Sequence, residues 1–298
     1  MILVTGATGT VGRQAVAALL ARGERVRALT RDPLAAGLPS EVEVVAGDLT
    51  VAESLQAVVD EVRAVLLIAA GPSMGEQAAR LVTAAGKAAV RQVVALSSLA
   101  AGERTRTALG DWHRQVEDAV RAGEPAWTAL RANGFMSNAE QWVPEVLAGV
   151  VHTAFPQLAA SVVDPADLAA VAAEILIPRG GVAAAQRHHG QIYDITGPRA
   201  LTPTDQVEIL AEVLGRSIVV AEQSVAQYRA GLSLVFPPSV VDALLESRSS
   251  ADDDRATVSP AVERIIGRPP ADFVQWAVEH RQLFAGLPSG SVTAGRLA

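Results

Sequence analysis

The 298-residue sequence has no cysteine, which excludes disulfide bonds, thiolate metal sites and a cysteine nucleophile. Basic residues are outnumbered, with 25 Lys and Arg against 32 Asp and Glu, so we expect no nucleic-acid partner. No apolar run is long enough to span a bilayer, and no secretory signal is recognisable at the start of the sequence. We therefore predict a cytoplasmic protein without a membrane partner.

A regular alternation of apolar runs and helical patterns fills the first half of the chain. Residues 2–4 and 64–69 are apolar throughout, as expected for strands that are buried on both faces. Segments such as 76–89 between these runs repeat their apolar residues with a helical period. Strands that alternate with helices form right-handed crossovers, so we predict an α/β fold with a doubly wound parallel (Rossmann) sheet.

The second half of the chain is less regular and contains several proline breaks. We predict that residues 1–150 form an NAD(P)-binding Rossmann domain, to which residues 161–197 return. Residues 151–160 and 198–285 are predicted to form a small mixed C-terminal substrate-binding domain, because ligands of such sheets bind at the edge that this part would cover. The composition of residues 286–298 favours a flexible tail.

A glycine-rich loop, Thr5-Gly-Ala-Thr-Gly-Thr-Val-Gly-Arg13, joins the first strand to the first helix. Side chains at its glycine positions would block the tight turn, the approach of a pyrophosphate or the contact between helix and strand. The free N–H groups and the positive dipole end of the helix favour phosphate binding. A turn without a ligand is the alternative, but the position between first strand and first helix favours a dinucleotide. The candidate cofactor-binding residues here are Gly6, Thr8, Gly9, Thr10, Val11 and Gly12, with Arg13 as a possible assistant.

The second strand ends at Arg31, where an NAD-preferring site usually has an acid for the ribose hydroxyls. A guanidinium instead suits a 2′-phosphate, so we expect NADP(H) to be preferred over NAD(H). Asp32 complicates this prediction, because a shift of one residue would reverse it, and Arg31 as a plain surface charge is the alternative. Asp48 and Leu49 follow the third strand, where they would contact the adenine, unless Asp48 only caps the next helix.

Several segments together resemble the NmrA-like, atypical short-chain dehydrogenases, in the subgroup of NADPH:quinone oxidoreductase type 2 and triphenylmethane reductase. They are residues 5–13, Arg31, residues 47–49, 66–68 and 94–98, Leu130-Arg-Ala-Asn-Gly-Phe-Met-Ser-Asn138, and residues 163–169 and 193–198. The resemblance covers nearly the whole chain to about residue 285.

The resemblance implies where further site residues would lie. Ala69, Ala70 and Gly71 would pass near the cofactor ribose. Asn133, Gly134 and Phe135 would lie beside the nicotinamide, with Phe135 and Asn138 on the substrate side. Asparagine is also common in turns, so a structural role for both asparagines is the alternative.

The tyrosine–lysine pair of typical short-chain dehydrogenases is absent. Neither Tyr193 nor Tyr228 is followed by lysine four residues later. His113 stands near the expected lysine position, and it could carry a proton at neutral pH while Glu117, one helical turn on, orients its ring. The alternative is a surface or packing pair. Ser97 is a second catalytic candidate and a cofactor contact, unless it only satisfies loop backbone.

Reduction of a simple ketone would lack its usual proton donor, so we expect an NADPH-dependent reductase of a small conjugated acceptor such as a quinone or enone. The apolar residues 232–236 are predicted either to form a wall for a hydrophobic substrate or to be core or an oligomer contact, and the protein to be a monomer or homodimer. No metal is expected, because His188 and His189 are adjacent and point apart. A non-catalytic NADP(H) sensor of NmrA type and a natural-product tailoring enzyme without net redox change are the alternatives.

Overall fold

The computed structural model describes residues 1–102, 106–178, 181–250 and 253–286, so the predicted tail from residue 287 onward lies outside the described residues. A seven-stranded parallel sheet forms its centre, with the strand order β3-β2-β1-β4-β5-β6-β8. This order confirms the doubly wound Rossmann prediction. The strands are β1 (Ile2–Val4), β2 (Val26–Thr30), β3 (Glu43–Ala46), β4 (Ala64–Leu67), β5 (Gln92–Ser98), β6 (Ala126–Ala132), β7 (Val150–Thr153), β8 (Gln191–Ile195) and β9 (Val219–Glu222).

Helices cover both faces of the sheet and continue through the second half of the chain. They are α1 (Thr10–Leu20), α2 (Leu55–Val58), α3 (Met74–Lys87), α4 (Ala108–Ala122), α5 (Val143–Ala148), α6 (Pro165–Leu176), α7 (Gly181–Gln186), α8 (Pro203–Leu214), α9 (Val225–Leu232), α10 (Pro238–Ser249), α11 (Ala261–Ile266), α12 (Phe273–Glu279) and α13 (Arg281–Phe284). Short 3₁₀ helices span Ala52–Ser54, Leu99–Ala101, Met136–Trp142 and Asp253–Ala256. None of the described helices is both long and apolar enough to cross a membrane.

The alternation of side chains along each strand divides the core into two layers. Ile2 and Val4 pack with α1 and α6 on one face of the sheet, whereas Leu3 packs with α3 and α4 on the other. All four residues of β4 are buried, as their apolar sequence predicted. The sheet is therefore enclosed on both faces, and only its edges and strand ends are open to a ligand.

The helix predicted over residues 76–89 begins two residues earlier, at Met74. Helix α4 begins at Ala108 because the side chain of Thr107 accepts a hydrogen bond from the amide of Gly110. Between β3 and β4, a 3₁₀ turn is followed by α2, which has four residues.

A third core lies outside the main sheet and contains Phe273, Trp276 and Phe284. Beside it, β7 and β9 form a two-stranded parallel sheet in which Val151 is paired with Val220. The sequence did not predict this pairing, since the two strands are far apart in the chain. Helix α8 starts with a capping box between Thr202 and Asp205.

Candidate functional site

The strand order reverses between β1 and β4, and Thr5 joins the loops that leave these two strands. Its Oγ1 donates to the carbonyl of Ile68 at 2.8 Å and accepts from the amide of Ile68 at 2.7 Å. A Cβ added to Gly6 would lie 3.0 Å from Cγ2 of Ile68, so the two loops are in close contact. Ligands of open α/β sheets bind in the crevice at such a switch point.

The glycine loop is shaped as a cradle. Gly6 has a φ of +57°, which favours glycine, and a Cβ added to Gly12 would lie 2.1 Å from the carbonyl oxygen of Gly6. Gly9 is the N-cap of α1 and provides no side-chain cap, so the first amides of the helix are left to another acceptor. The loop therefore has the room and the donors that a dinucleotide pyrophosphate requires. Thr8, Thr10 and Val11 lie in this same turn.

Beyond β2, the carboxylate of Asp32 is used locally, because its Oδ1 accepts from the amides of Leu34 and Ala35 at 3.1 and 3.2 Å. Arg31 is exposed and forms no hydrogen bond or salt bridge with any residue that the structure describes. The end of β2 therefore carries a cation with no salt-bridge partner among the described residues, next to an acid that is partly engaged in its own turn.

Arg13, the possible assistant in phosphate binding, is bonded to backbone carbonyls in the structure. Its guanidinium donates to the carbonyl of Thr8 at 2.9 Å, of Gly37 at 2.8 Å and of Ala36 at 2.9 Å. These bonds fasten the segment after β2 to the glycine loop.

Asp48 and Leu49 have local partners in the structure. Oδ1 of Asp48 accepts from the amide and the hydroxyl of Thr50, each at 2.8 Å, and these two bonds lower the pKa of the carboxyl. Leu49 packs against the core on the side of α3 and α4. Asp48 therefore caps a turn. This role is close to the predicted alternative, in which Asp48 caps the next helix.

Residues 69–71 run from β4 towards α3, beside the glycine loop. Gly71 has a φ of +82°, and Nε2 of Gln77 donates to the carbonyl of Ala70 at 2.9 Å. Ala69 is half-buried and Ala70 is exposed, so this segment offers mainly backbone to a ligand.

The buried carboxylate of Glu117, in α4, lies where a catalytic pair of His113 and Glu117 was predicted. The hydroxyl of Ser97 donates to it at 2.7 Å, and Arg131 donates to its two oxygens at 2.7 and 2.8 Å. Arg121 adds a further bond at 3.1 Å. Burial raises the pKa of Glu117, but the bonds from Arg131 and Ser97 more than offset it and lower the pKa overall. Since the hydroxyl hydrogen of Ser97 is directed at Glu117, it is not available to a substrate.

His113 lies in the wall of the substrate cavity described below, and its Nδ1 is buried without a hydrogen-bond partner among the described residues. Burial lowers its pKa to about 4, although the charge of Glu117 opposes the shift. A pKa in this range leaves the ring neutral at pH 7, which argues against a proton carrier near neutral pH. The predicted orientation by Glu117 is wrong, because the carboxylate is bonded to Ser97 and the arginines.

Asn133 ties the end of β6 to the 3₁₀ turn at residues 253–256. Its Nδ2 donates to Oγ of Ser161 at 2.8 Å and to the carbonyl of Arg255. Both amide hydrogens have partners, which favours the structural alternative for this side chain. Gly134 follows with a φ of +131°, and Phe135 is bridged to Val163.

A cavity of about 430 Å³ opens at the carboxyl ends of β5 and β6. Phe135 and Asn138, the predicted substrate residues, both lie in its wall. Residues 232–236 do not form a wall or a core, since Leu234 is 88% exposed and Val235 56% exposed. Aromatic and apolar wall residues come instead from several elements: Trp142, Phe155, Leu158, Tyr228 and Leu244.

Sequence reasoning missed several polar residues of this wall, among them Tyr228, Arg248 and Arg255. Tyr228 is one of only two tyrosines in the chain, and this rarity was its sole signal. The two arginines lie in segments without any motif, so no local pattern could have singled them out.

Comparison with known proteins agrees with this geometry. Residues 6–177 match a family described as NAD(P)H-binding. A (4-alkanoyl-5-oxo-2,5-dihydrofuran-3-yl)methyl phosphate reductase from Streptomyces griseus subsp. griseus is 37% identical over 289 residues, which is 96% of this chain and 99% of the relative. NAD(P)H azoreductase from Xenophilus azovorans is 29% identical, with 95% and 99% covered. The crystal structure of an NADPH-dependent quinone oxidoreductase from Escherichia coli superposes with a TM-score of 0.77 at 25% identity, over 94% of this chain and 99% of that chain.

Proposed function

The chain belongs to the NAD(P)H-binding family of NmrA-like, atypical short-chain dehydrogenases and is an NAD(P)H-dependent oxidoreductase; from this premise we propose that it uses NADPH to reduce a small conjugated acceptor. An α,β-unsaturated lactone is the favoured form of that acceptor. The observation that carries the proposal is the cavity beside the end of β6, with its aromatic walls and its neutral histidine.

The preference for NADPH is supported by the groups at the end of β2. Arg31 is exposed and forms no salt bridge with a described residue, whereas one carboxylate oxygen of Asp32 accepts from the amides of Leu34 and Ala35. A permanent planar cation suits a 2′-phosphate, and the turn bonds engage Asp32 within its own segment. The glycine cradle at Gly6, Gly9 and Gly12 would hold the pyrophosphate.

The walls of the cavity favour a flat acceptor. Phe135, Trp142, Phe155 and Tyr228 present aromatic surface to it, and an unsaturated ring can pack between such faces. The reductase that shares 37% of its residues with this chain acts, by its name, on an unsaturated dihydrofuranone. A conjugated lactone is therefore better supported than a quinone.

A conjugated acceptor also suits the chemistry of the wall. When bound, NADPH would supply a hydride to the β-carbon of the acceptor's double bond. A proton from solvent would then complete the reduction. Negative charge then develops on the carbonyl oxygen of the acceptor, which needs a hydrogen-bond donor rather than a strong acid. Neutral His113 has one N–H to donate without losing its proton. An acceptor of this kind does not require the missing tyrosine–lysine pair.

The test is a panel of acceptors with loss of NADPH absorbance as the readout. We expect an acylated butenolide to be reduced, a quinone to be reduced more slowly and a saturated ketone not to react. Deuterium from [4,4-²H₂]NADPH should appear at the β-carbon of the former double bond. Binding of NADPH with no consumption by any conjugated acceptor would contradict the proposal and favour a sensor. Conversion without net cofactor oxidation, seen as a product of altered mass, would favour an enzyme with no net redox change.

A further inference from the structure

We propose that Gln206, in the first turn of α8, binds an uncharged hydroxyl group of the acceptor, at the end remote from the reacting double bond. The inference deepens the proposed function and rests on it for the reacting end of the acceptor. Its starting point is a buried amide in the wall of the cavity. Gln206 is only 8% exposed, and its side chain forms no hydrogen bond with any described residue.

Packing does not explain an amide at this position. Val207 and Leu210, on the same helix, are buried in the third core and hold α8 in place by apolar contacts. The side chain of glutamine has an acceptor oxygen and an NH₂ donor, and burial of these groups without partners is unfavourable. An apolar side chain of similar size would avoid this cost. A ligand in the cavity would supply the partner that the described residues do not.

A second uncharged polar side chain, Thr153 in β7, lies at the same end of the cavity. It is 6% exposed, and its Oγ1 accepts from the amide of Phe155 at 3.3 Å but donates to no described residue. The hydroxyl of Thr204 donates to the carbonyl of Pro156 at 2.9 Å, which ties the start of α8 to the loop after β7. An amide and a hydroxyl are thus available to a ligand at this end.

This end of the cavity is separate from the end where the reaction would occur. His113 and Ser97 belong to α4 and β5, at the main sheet, whereas Gln206 and Thr153 belong to α8 and β7, which pack into the third core. The cofactor of such a sheet binds at its strand ends, so Gln206 would contact a part of the acceptor that does not take the hydride. The volume of about 430 Å³ is in the range of sites for ligands larger than a single small ring.

The two side chains favour a hydroxyl over a charged group. Glutamine and threonine are uncharged, and each can both donate and accept a hydrogen bond. A carboxylate has no hydrogen to donate, so it would leave the amide oxygen of Gln206 unpaired. The wall residues that adjoin this end in the chain, Leu158, Ala160 and Pro203, are apolar. A hydroxyl at the end of an apolar chain fits both the polar pair and the surfaces around it.

The experiment compares acylated butenolides whose acyl chains end in a primary alcohol with matched compounds that end in a methyl group, over a series of chain lengths. Wild type is compared with Gln206→Leu, which keeps a similar volume but cannot form hydrogen bonds. At the length that reaches the amide, we expect the ratio of kcat/KM for alcohol over methyl to fall by about ten-fold or more in Gln206→Leu. The value of kcat/KM for the methyl compound should change less than about two-fold.

Two measurements separate ligand binding from packing. Urea unfolding of Gln206→Leu without ligand should show unchanged or higher stability, because the amide has no described partner to lose. Glu208→Leu is the matched control, since Glu208 is exposed on the same helix, and it should leave the ratio for alcohol over methyl unchanged. Lower stability of Gln206→Leu with an equal loss for both compounds would assign Gln206 to packing and overturn the inference.

Calorimetric titration of the same compounds separates this inference from the proposed function. If no compound oxidises NADPH but the alcohol binds more tightly than the methyl compound, and only when Gln206 is present, the subsite stands and the proposed reaction is wrong. If the alcohol and methyl compounds differ in neither binding nor turnover at any chain length, the subsite is overturned even where both are reduced. A preference for the alcohol that persists in Gln206→Leu would also overturn it.

Discussion

Arg131, near the end of β6, binds both carboxylate oxygens of Glu117 in α4, from Nε at 2.7 Å and from Nη2 at 2.8 Å. Glu117 is only 1% exposed, and Ser97 occupies a further acceptor position on it. The pair therefore joins α4 to two neighbouring strands at the edge of the cavity. Burial lowers the pKa of the nearby His113 to about 4 against the opposing charge of Glu117, so this histidine is a neutral polar group at pH 7.

Glu117→Gln should lower the free energy of unfolding by about 3 kcal/mol, because Arg131 loses the buried carboxylate that accepts two of its hydrogen bonds. Urea unfolding followed by circular dichroism measures this difference. Asp118→Asn is the matched control on the same helix, where the exposed carboxylate pairs with Arg121, and it should cost less than about 1 kcal/mol. Equal costs for the two variants would contradict the assigned role of Glu117.

Gly12→Ala should weaken NADPH and NADH alike, by about ten-fold or more, because its Cβ would lie 2.1 Å from the carbonyl oxygen of Gly6 and deform the cradle. Fluorescence titration of both cofactors is the measurement. Gly231→Ala, in α9, meets no atom within 4 Å and should leave both affinities unchanged. Unaltered cofactor binding by Gly12→Ala would show that the glycine loop is not the pyrophosphate site.

Arg31→Ala should weaken NADPH by about ten-fold or more and NADH less than about two-fold, since a charge-assisted contact to the 2′-phosphate is lost. Dissociation constants for both cofactors give the ratio directly. Arg25→Ala serves as the control, because Arg25 is exposed and precedes the same strand. Equal weakening of NADPH and NADH binding would mean that Arg31 acts through folding or through the overall charge of the site, and not through a contact to the 2′-phosphate.

His113→Gln should make the fold less sensitive to acid. The folded-state pKa is about 4, below the unfolded value near 6.5, so the unfolded chain binds a proton in this window that the folded chain does not. Stability therefore falls as the pH drops from about 6.5 to about 4, and this loss disappears with the ring. Because the ring is partly exposed, we expect about 1–2 kcal/mol of the difference between pH 7 and pH 4.5 to be removed.

Urea unfolding at both pH values checks the effect, and His113→Asn should behave in the same way if titration rather than packing is responsible. The pH dependence of kcat between pH 6 and 8 should be the same in the wild type and in both variants, because a neutral histidine does not titrate there. A wild-type rate profile with an inflection near neutral pH that vanishes in His113→Gln would restore the proton-carrier interpretation.

The sequence by itself determined the main sheet and the glycine loop. Apolar runs such as residues 64–67 must be buried on both faces, and the alternation of strands and helices permits few topologies. Gly6 is needed for its positive φ, and Gly12 is needed because the backbone of Gly6 approaches it closely. Both requirements arise within one turn. These features are local, so a single stretch of sequence contains the whole physical cause.

Only the tertiary structure decided the partners of the polar groups in the cavity. Glu117 is bonded to Ser97, 20 residues away, and Asn133 to Arg255, 122 residues away, so no spacing rule on one helix could have found either pair. Burial by distant segments likewise lowers the pKa of His113 to about 4. Desolvation and charge pairing depend on which distant residues the fold brings together. The sequence alone therefore predicted the architecture of the site better than the partners of its polar groups.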